Sequence, residues 1–350
     1  MAERADPAVD GIDVERVSAW FAANIPGAEL PLRFQLIAGG RSNLTFSVHD
    51  AAGRAYALRR PPTSHVLPTA HDMAREHRII AALGPTGLPV PPALGVCTDV
   101  EVNGSPFYVM GFVDGLIVRA PEVVAELDLP ARHHAGESLI DVLAGIHDVD
   151  VDAVGLGDLA RKDAYIARQL KRWSGQYEQS RAMGGPDVAE VESVHRLLVE
   201  RIPEQQGAAI VHGDYRLDNC VLAPDGTVRA VLDWELCTLG DPLADLGMLL
   251  VYWAEPGDPT TALEEAPTQQ PGFARRDELI ARYAARSARD LSQLDYYVAF
   301  ASWRVACILA GVYARYAGGA GGGDQTDYRT FGERVVQLAA RAAETAAALP

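Results

Sequence analysis

The chain has 350 residues, 48% hydrophobic and 22% charged, and its 31 Lys and Arg against 47 Asp and Glu leave a formal charge of −16. That apolar share belongs to a folded globular protein, and the length exceeds what one hydrophobic core usually spans, so two lobes are expected. The acidic excess argues against a nucleic-acid scaffold, no run approaches about 18 uninterrupted apolar residues, and MAERADPAVDG lacks the apolar stretch of a secretory signal. The four cysteines (Cys97, Cys220, Cys237, Cys307) are far apart with no C-x-x-C pair. They suit neither a zinc site nor a disulfide framework and fit a reducing, cytoplasmic setting.

In chain order, 13–24 places Val14, Val17, Trp20 and Phe21 at helical spacing. RFQLIAGG, NLTFSVHD and RAYALRR then read as three strands separated by turns, an antiparallel meander. HDMAREHRIIAALG predicts a helix with Met73, His77, Ile80 and Leu83 along one face. VPPALGVCTDV and FYVMGFVDG read as strands around an Asn103-Gly104 hairpin turn.

After residue 114 the pattern becomes helical, in ARHHAGESLIDVLAGIHDV, DAYIARQLKRWSGQYEQS and VAEVESVHRLLVERI. One β-rich island interrupts it, AAIVHGDYRLDNCVLAPDGTVRAVLDWE, turned at Asp225-Gly226. Residues 254–275 read as a Pro-rich acidic loop, 318–323 as a glycine connection and 327–348 as a final helix. The expected fold class is α+β: a small lobe over 1–113 with an antiparallel sheet, and a larger, mostly helical lobe over 114–350.

Chemistry concentrates in the island. Asp214 and Asn219 lie in IVHGDYRLDNCVL, and Asp233 ends the apolar run Ala230-Val231-Leu232. Asn and Asp are also turn formers. Bracketed by apolar strands, however, these must sit against a core, where unpaired carboxylates are costly. A hairpin pairing the strands would carry all three towards one end, an oxygen-rich set suited to Mg2+.

H-G-D-x-x-x-x-N followed by an apolar-apolar-Asp strand resembles the aminoglycoside phosphotransferase family, a branch of the bilobal protein-kinase-like fold. The resemblance implies that Asp214 contacts the acceptor hydroxyl, that Asn219 and Asp233 bind Mg2+, and that ATP or another nucleoside triphosphate is the donor. Gly213 and Trp234 replace the Arg and Phe of protein kinases, as in small-molecule phosphotransferases. HGDYRLDN, DWELCTLGDPLADLG and YALRRPP further resemble the phosphotransferase domains that some proteins carry fused to an acyl-CoA dehydrogenase. The two lobes account for all 350 residues, leaving no room for a dehydrogenase portion.

Other positions carry over singly. Gly39, Gly40, Arg41, Ser42 and Asn43 stand where kinases place the phosphate-covering loop, and without a full G-x-G-x-x-G they equally fit a plain turn. Arg59 fills the slot of the strand-three lysine, with Arg60 expected to point the other way. Glu76 matches the helix glutamate that pairs with that cation, against the alternative of an exposed helix-face acid. Met110 lies in the strand whose backbone meets the adenine. His212 and Asp245 are the supporting residues of the catalytic loop, Asp245 by accepting its backbone N–H groups. Asp241 is either part of the same turn or an N-cap, and His147 is a packing residue.

Arg216 and Glu235 are the candidate acceptor-binding side chains. A local cation at Arg216 would repel an aminoglycoside and welcome a carboxylate or phosphate, whereas Glu255, Asp258, Glu264 and Glu265 of the acidic loop would do the opposite. A small hydroxylated acyl compound is the expected acceptor, with neither nucleic acid nor membrane as partner and protein partners left open. The alternatives are a catalytically silent nucleotide- or metabolite-binding module and a true aminoglycoside kinase.

Overall fold

The computed structural model describes residues 9–38, 43–62, 72–259, 262, 265–319 and 327–349. It divides into two compact units: residues up to Asp114 together with Ala230–Glu235, and Gly115–Arg229 together with Leu236–Pro350. The short segment Ala230–Glu235, which the sequence reading left with the larger lobe, thus packs with the smaller one.

The first unit opens with helix α1 (Val14–Asn24), whose N-cap Asp13 accepts from Arg16 N–H. Strands β1 (Arg33–Ala38), β2 (Leu44–His49) and β3 (Ala55–Arg60) follow, then helix α2 (Met73–Leu83), capped by Asp72. Strand β4 (Ala93–Cys97), a helical turn α3 (Val100–Asn103) and strand β5 (Phe107–Gly111) complete it. The five strands form one antiparallel sheet in the order β1-β2-β3-β5-β4. The hairpin expected at Asn103-Gly104 is therefore present as a strand pair, but its connection is longer than two residues. Asp99 caps α3 and Gly104 ends it at φ +70°, so the Asn-Gly pair serves as a helix stop instead of a tight turn.

Period-two alternation sorts this sheet's faces. Phe46, Val48, Tyr56, Leu58, Phe107 and Val109 join Val17 and Phe21 of α1 in a buried core. The opposite parity carries Ala57, Arg59, Tyr108 and Met110, and Arg59 stands directly across from Tyr108 in the β3–β5 register. On α2 the buried residues are Met73, Glu76, Ile79, Ile80 and Leu83, so Glu76 and Ile79 take the face expected of His77.

The second unit begins with α4 (Pro121–Val124), α5 (Leu129–His147), α6 (Tyr165–Ala182) and α7 (Ala189–Glu200). Strands β6 (Ala209–Val211), β7 (Cys220–Leu222), β8 (Val228–Val231) and β9 (Thr238–Gly240) make two small sheets. The pairings are β6 with β9 and β7 with β8. The return strand after Asp225-Gly226 thus pairs with Cys220–Leu222, and β6 takes as its partner a strand the sequence reading passed over.

Helices α8 (Leu243–Tyr252), α9 (Arg276–Arg286), α10 (Leu294–Ala317) and α11 (Arg329–Ala347) finish the chain. Helix α10 is long and apolar enough to cross a bilayer by length and composition, yet 67% of its apolar window is buried inside the protein. It packs against α6, α7, α8 and α11. Tyr297 Oη donates to Asp241 (2.7 Å), and Trp303 Nε1 to the Val191 carbonyl (2.9 Å). These bonds satisfy polar atoms that burial would otherwise penalise.

The α8–α10 contact depends on Gly247, where an added Cβ would lie 2.6 Å from the Tyr297 carbonyl oxygen. Gly175 on α6 faces open space. Urea unfolding should therefore show Gly247→Ala destabilised by about 1–3 kcal/mol, and Gly175→Ala stabilised by about 0.5–1 kcal/mol. Equal effects at the two positions would contradict this packing.

Candidate active site

Two groups of predicted residues assemble, one in each unit. In the first, β3 delivers Arg59, α2 delivers Glu76, β5 delivers Tyr108, and the turn after β8 delivers Asp233 and Glu235. Arg59 is 9% exposed. Its Nε lies 3.2 Å from Glu76 Oε2, its Nη2 donates to Asp233 Oδ1, and the same Nη2 is 3.8 Å from Glu235 Oε2. Asn43 Nδ2 donates to Glu76 Oε1 (3.2 Å) and to Glu235 Oε2 (3.0 Å), while Tyr108 Oη donates to Glu76 Oε2 (3.1 Å). Asn43 Oδ1 is buried without a hydrogen-bond partner. Asp233 adopts φ +65°, a left-handed conformation rare outside glycine, which redirects the chain into the turn carrying Glu235.

Three carboxylates thus surround one guanidinium. Burial opposes the Arg59 charge, but Glu76 and then Asp233 outweigh it and raise its pKa. Burial pushes Glu76 up to about 7, with Asp233 and Glu235 adding to the effect against the pull of Arg59. Arg60 points the other way, to the carbonyls of Gly11, Pro61 and Asn103, as strand alternation requires. Met110 is buried in the sheet, its backbone in register with Ala57 and Ala93. Gly39, Gly40, Arg41 and Ser42 lie outside the described residues. Glu235, expected at the acceptor, instead engages Asn43, because the turn at Asp233 swings it into the Arg59 cluster.

The second group is the loop between β6 and β7. Asp245, completely buried on α8, accepts the His212 N–H on Oδ2 (2.5 Å) and the Gly213 N–H on Oδ1 (2.9 Å). Burial alone would raise its pKa, yet its partners hold it below the usual carboxylate range. His147 stands 3.6 Å away, but burial drives it towards its neutral form. The lowering of the Asp245 pKa comes first from the His147 side chain, then from His212 and the Gly213 N–H. Gly213 has φ +85°, and a Cβ there would lie 2.9 Å from the Leu236 carbonyl oxygen. Its own carbonyl accepts from Arg304 Nη2 (2.8 Å), a buried arginine of α10 whose guanidinium also lies over the Trp173 ring. His212 Nδ1 accepts the Asp214 N–H at 3.3 Å.

On this scaffold, Asn219 Nδ2 donates both to the Asp214 carbonyl (2.9 Å) and to Asp214 Oδ2 (3.0 Å). Arg216 Nε stands 3.3 Å from Asp214 Oδ2 and 3.1 Å from Asp218 Oδ1, and its guanidinium covers the Tyr252 ring at 4.9 Å. The lone local cation expected at Arg216 is therefore countered by two carboxylates. Of the opposing acids, Glu255 (3.3 Å) and Asp258 pair with Arg276. Glu264 lies outside the described residues. Beside Arg216, Val118, Leu217, Leu249, Trp253 and Pro267 line a crevice of about 10 Å³, room for roughly one water.

Sequence reasoning missed Tyr108, Asp218, Tyr252 and Arg304. Tyr108 follows from the β3–β5 register once that pairing is known; the others carried no local signal. Among the described residues, no group of three or more His, Cys, Asp or Glu could hold a metal ion alone. Taken singly, both hydrogen bonds of the Asn219 side chain use Nδ2, which leaves Oδ1 outside them, and in the other unit Asp233 carries a hard carboxylate of the kind Mg2+ takes.

The raised Glu76 pKa sets a pH dependence. Its folded value exceeds the ordinary 4.5, so the stability this group contributes is complete below about 4.5 and is lost as pH rises through about 7. In metal-free buffer, wild type should lose on the order of 3 kcal/mol relative to Glu76→Gln between pH 4.5 and 7.5. Urea unfolding across that range checks it, and a parallel pair of curves would count against the assignment.

The model of the phosphotransferase enzyme family matches residues 33–291. Acyl-CoA dehydrogenase family member 10 of Mus musculus is 36% identical over 280 residues, covering 79% of this chain and 26% of that protein. Family member 11 of Gallus gallus is 35% identical over 290 residues, covering 79% and 36%. The chain thus spans about a quarter to a third of the length of these two relatives. Among solved structures, a Ralstonia eutropha protein assigned as an aminoglycoside phosphotransferase superposes with a TM-score of 0.80 at 31% identity, covering 96% of this chain and 98% of that one. Choline kinase from Cryptosporidium parvum shares the fold, with a TM-score of 0.63 at 12% identity over 95% of each chain. A kinase-like fold, the ordered HGDYRLDN and DWE motifs and this family match together place the chain in the aminoglycoside-type phosphotransferase enzyme family.

Proposed function

We propose that this family member transfers the γ-phosphoryl group of ATP, or of another nucleoside triphosphate, to a hydroxyl of a small organic molecule. The observation that carries the reading is the Asp214–Asn219 arrangement on a loop fixed through Asp245. The Asn219 hydrogen bond and the closest approach of Arg216 both fall on Asp214 Oδ2. Oδ1 is thus the oxygen assigned to the acceptor hydroxyl, which it orients and whose proton it takes late in transfer. Arg59 steadies the nucleotide phosphates and Glu76 steadies Arg59. Asn219 and Asp233 each offer an oxygen to Mg2+, which when bound neutralises phosphate charge. Catalysis of this kind is positioning and charge compensation, with no covalent enzyme intermediate.

For the acceptor, charge decides little once Arg216 is paired with two acids and Glu255 and Asp258 with Arg276. The acyl-CoA dehydrogenase names of the relatives support a hydroxylated acyl compound. The Ralstonia structure favours an aminoglycoside as the second reading.

An ATP-consumption screen over hydroxy acids, hydroxyacyl thioesters, choline, sugars and aminoglycosides should show turnover with the acyl compounds. Asp214→Asn should lower it by at least a hundredfold with an unchanged melting temperature. Turnover of kanamycin-like compounds alone would replace the acceptor assignment. Equal turnover in wild type and Asp214→Asn would refute the catalytic one, and ATP binding without turnover of any compound would favour a silent module.

A further inference from the structure

Arg59 does more than the lysine it stands in for. A lysine ammonium is one compact charge, whereas the guanidinium presents donors at separated positions in a rigid fork. Here Nε lies 3.2 Å from Glu76 Oε2 as an ion pair without a hydrogen bond, while Nη2 occupies Asp233 Oδ1 and lies 3.8 Å from Glu235 Oε2. Asn43 fastens two of the same three acids from the other side, donating to Glu76 at 3.2 Å and to Glu235 at 3.0 Å. Its remaining side-chain atom, Oδ1, is a buried acceptor without a hydrogen-bond partner on a residue only 8% exposed. Among the described residues the cluster carries three formal negative charges against one positive, in surroundings where uncompensated charge is expensive. Its one cation sits on a carboxylate that the functional reading gives to a metal.

Resting on that reading of Asp233, we infer that Arg59 is an exchangeable internal counter-ion. In the free protein its Nη end holds Asp233 and Glu235 in place of a divalent cation. When metal and nucleotide arrive, that end leaves the carboxylates for phosphate, and Nε stays with Glu76 as the pivot. Metal alone must compete with a tethered guanidinium and binds weakly. Metal with nucleotide gives the guanidinium a new anionic partner and binds well. The arginine thereby couples the two ligands, which a lysine held at Glu76 would not do, being too short and single-pointed to reach both acids.

The experiment is a titration with Mn2+ alone, free ion being read by electron paramagnetic resonance, on wild type, Arg59→Lys and Arg59→Met. Arg59→Lys keeps the charge and loses the second reach, so it should bind Mn2+ at least fivefold more tightly than wild type. Adding Asp233→Asn to Arg59→Lys should abolish that gain. If only Arg59→Met gains and Arg59→Lys matches wild type, the effect is plain charge removal and the inference fails. A gain that survives Asp233→Asn overturns it as well. Wild type supplies a reading that needs no variant to fold: Mg2+ alone should move the guanidinium Nη 15N resonances of Arg59 while Nε holds, and still Nη resonances at saturating Mg2+ overturn the inference. None of these readouts uses turnover, so a protein inert towards every acceptor can still pass, and an active one can still fail.

Discussion

The buried carboxylate of Asp245 is the constraint on which the loop between β6 and β7 depends. A carboxylate removed from water needs donors, and here they are two consecutive backbone N–H groups, those of His212 and Gly213. Two adjacent amides can point at one carboxylate because Gly213 takes φ +85°. That conformation also brings the loop against Leu236, leaving no space for a side chain. With its N–H held by Asp245 of α8 and its carbonyl held by Arg304 of α10, Gly213, the residue preceding Asp214, is tied at both ends. The direction of the Asp214 side chain then follows from packing around it, which is how a rigid scaffold preorganises a reacting group.

The first unit solves a different problem. Its sheet carries a cation on the face opposite the α1 core, and burial there demands compensation. Glu76, Asp233 and Glu235 supply more negative charge than Arg59 balances, and Asn43 and Tyr108 distribute hydrogen bonds among the acids. The left-handed Asp233 is the backbone strain that makes the arrangement possible. Local strain and excess charge in one small cluster are features of a site built for a ligand more than for stability.

Much of this was legible in the sequence, for identifiable reasons. Alternation along YALRR separated Arg59 from Arg60 without any knowledge of neighbours, because side-chain parity in a strand is fixed. The HGDYRLDN spacing placed Asp214 and Asn219 in one loop, and their hydrogen bond is a local consequence. Tyr108 was opaque because β5 inserts next to β3, ahead of β4, and strand order is a non-local property. Arg304 was opaque for the same reason, lying 91 residues from the carbonyl it holds. The contact of Glu235 with Asn43 was not foreseen, because nothing in DWE announces a positive φ at its aspartate. The pairing of Arg216 with Asp214 and Asp218 was not foreseen, because residue type gives a charge but not its partners.

Helix α10 imposes an order on the making of this protein. Its 24 residues are among the most apolar in the chain, and α11 is one of the helices that cover it. During synthesis, α10 is translated before α11. At about 5–20 residues per second, a bilayer-length apolar segment waits for seconds with that flank bare. Chaperone demand, and aggregation when translation stalls late, should therefore concentrate at the point in the sequence between these two helices.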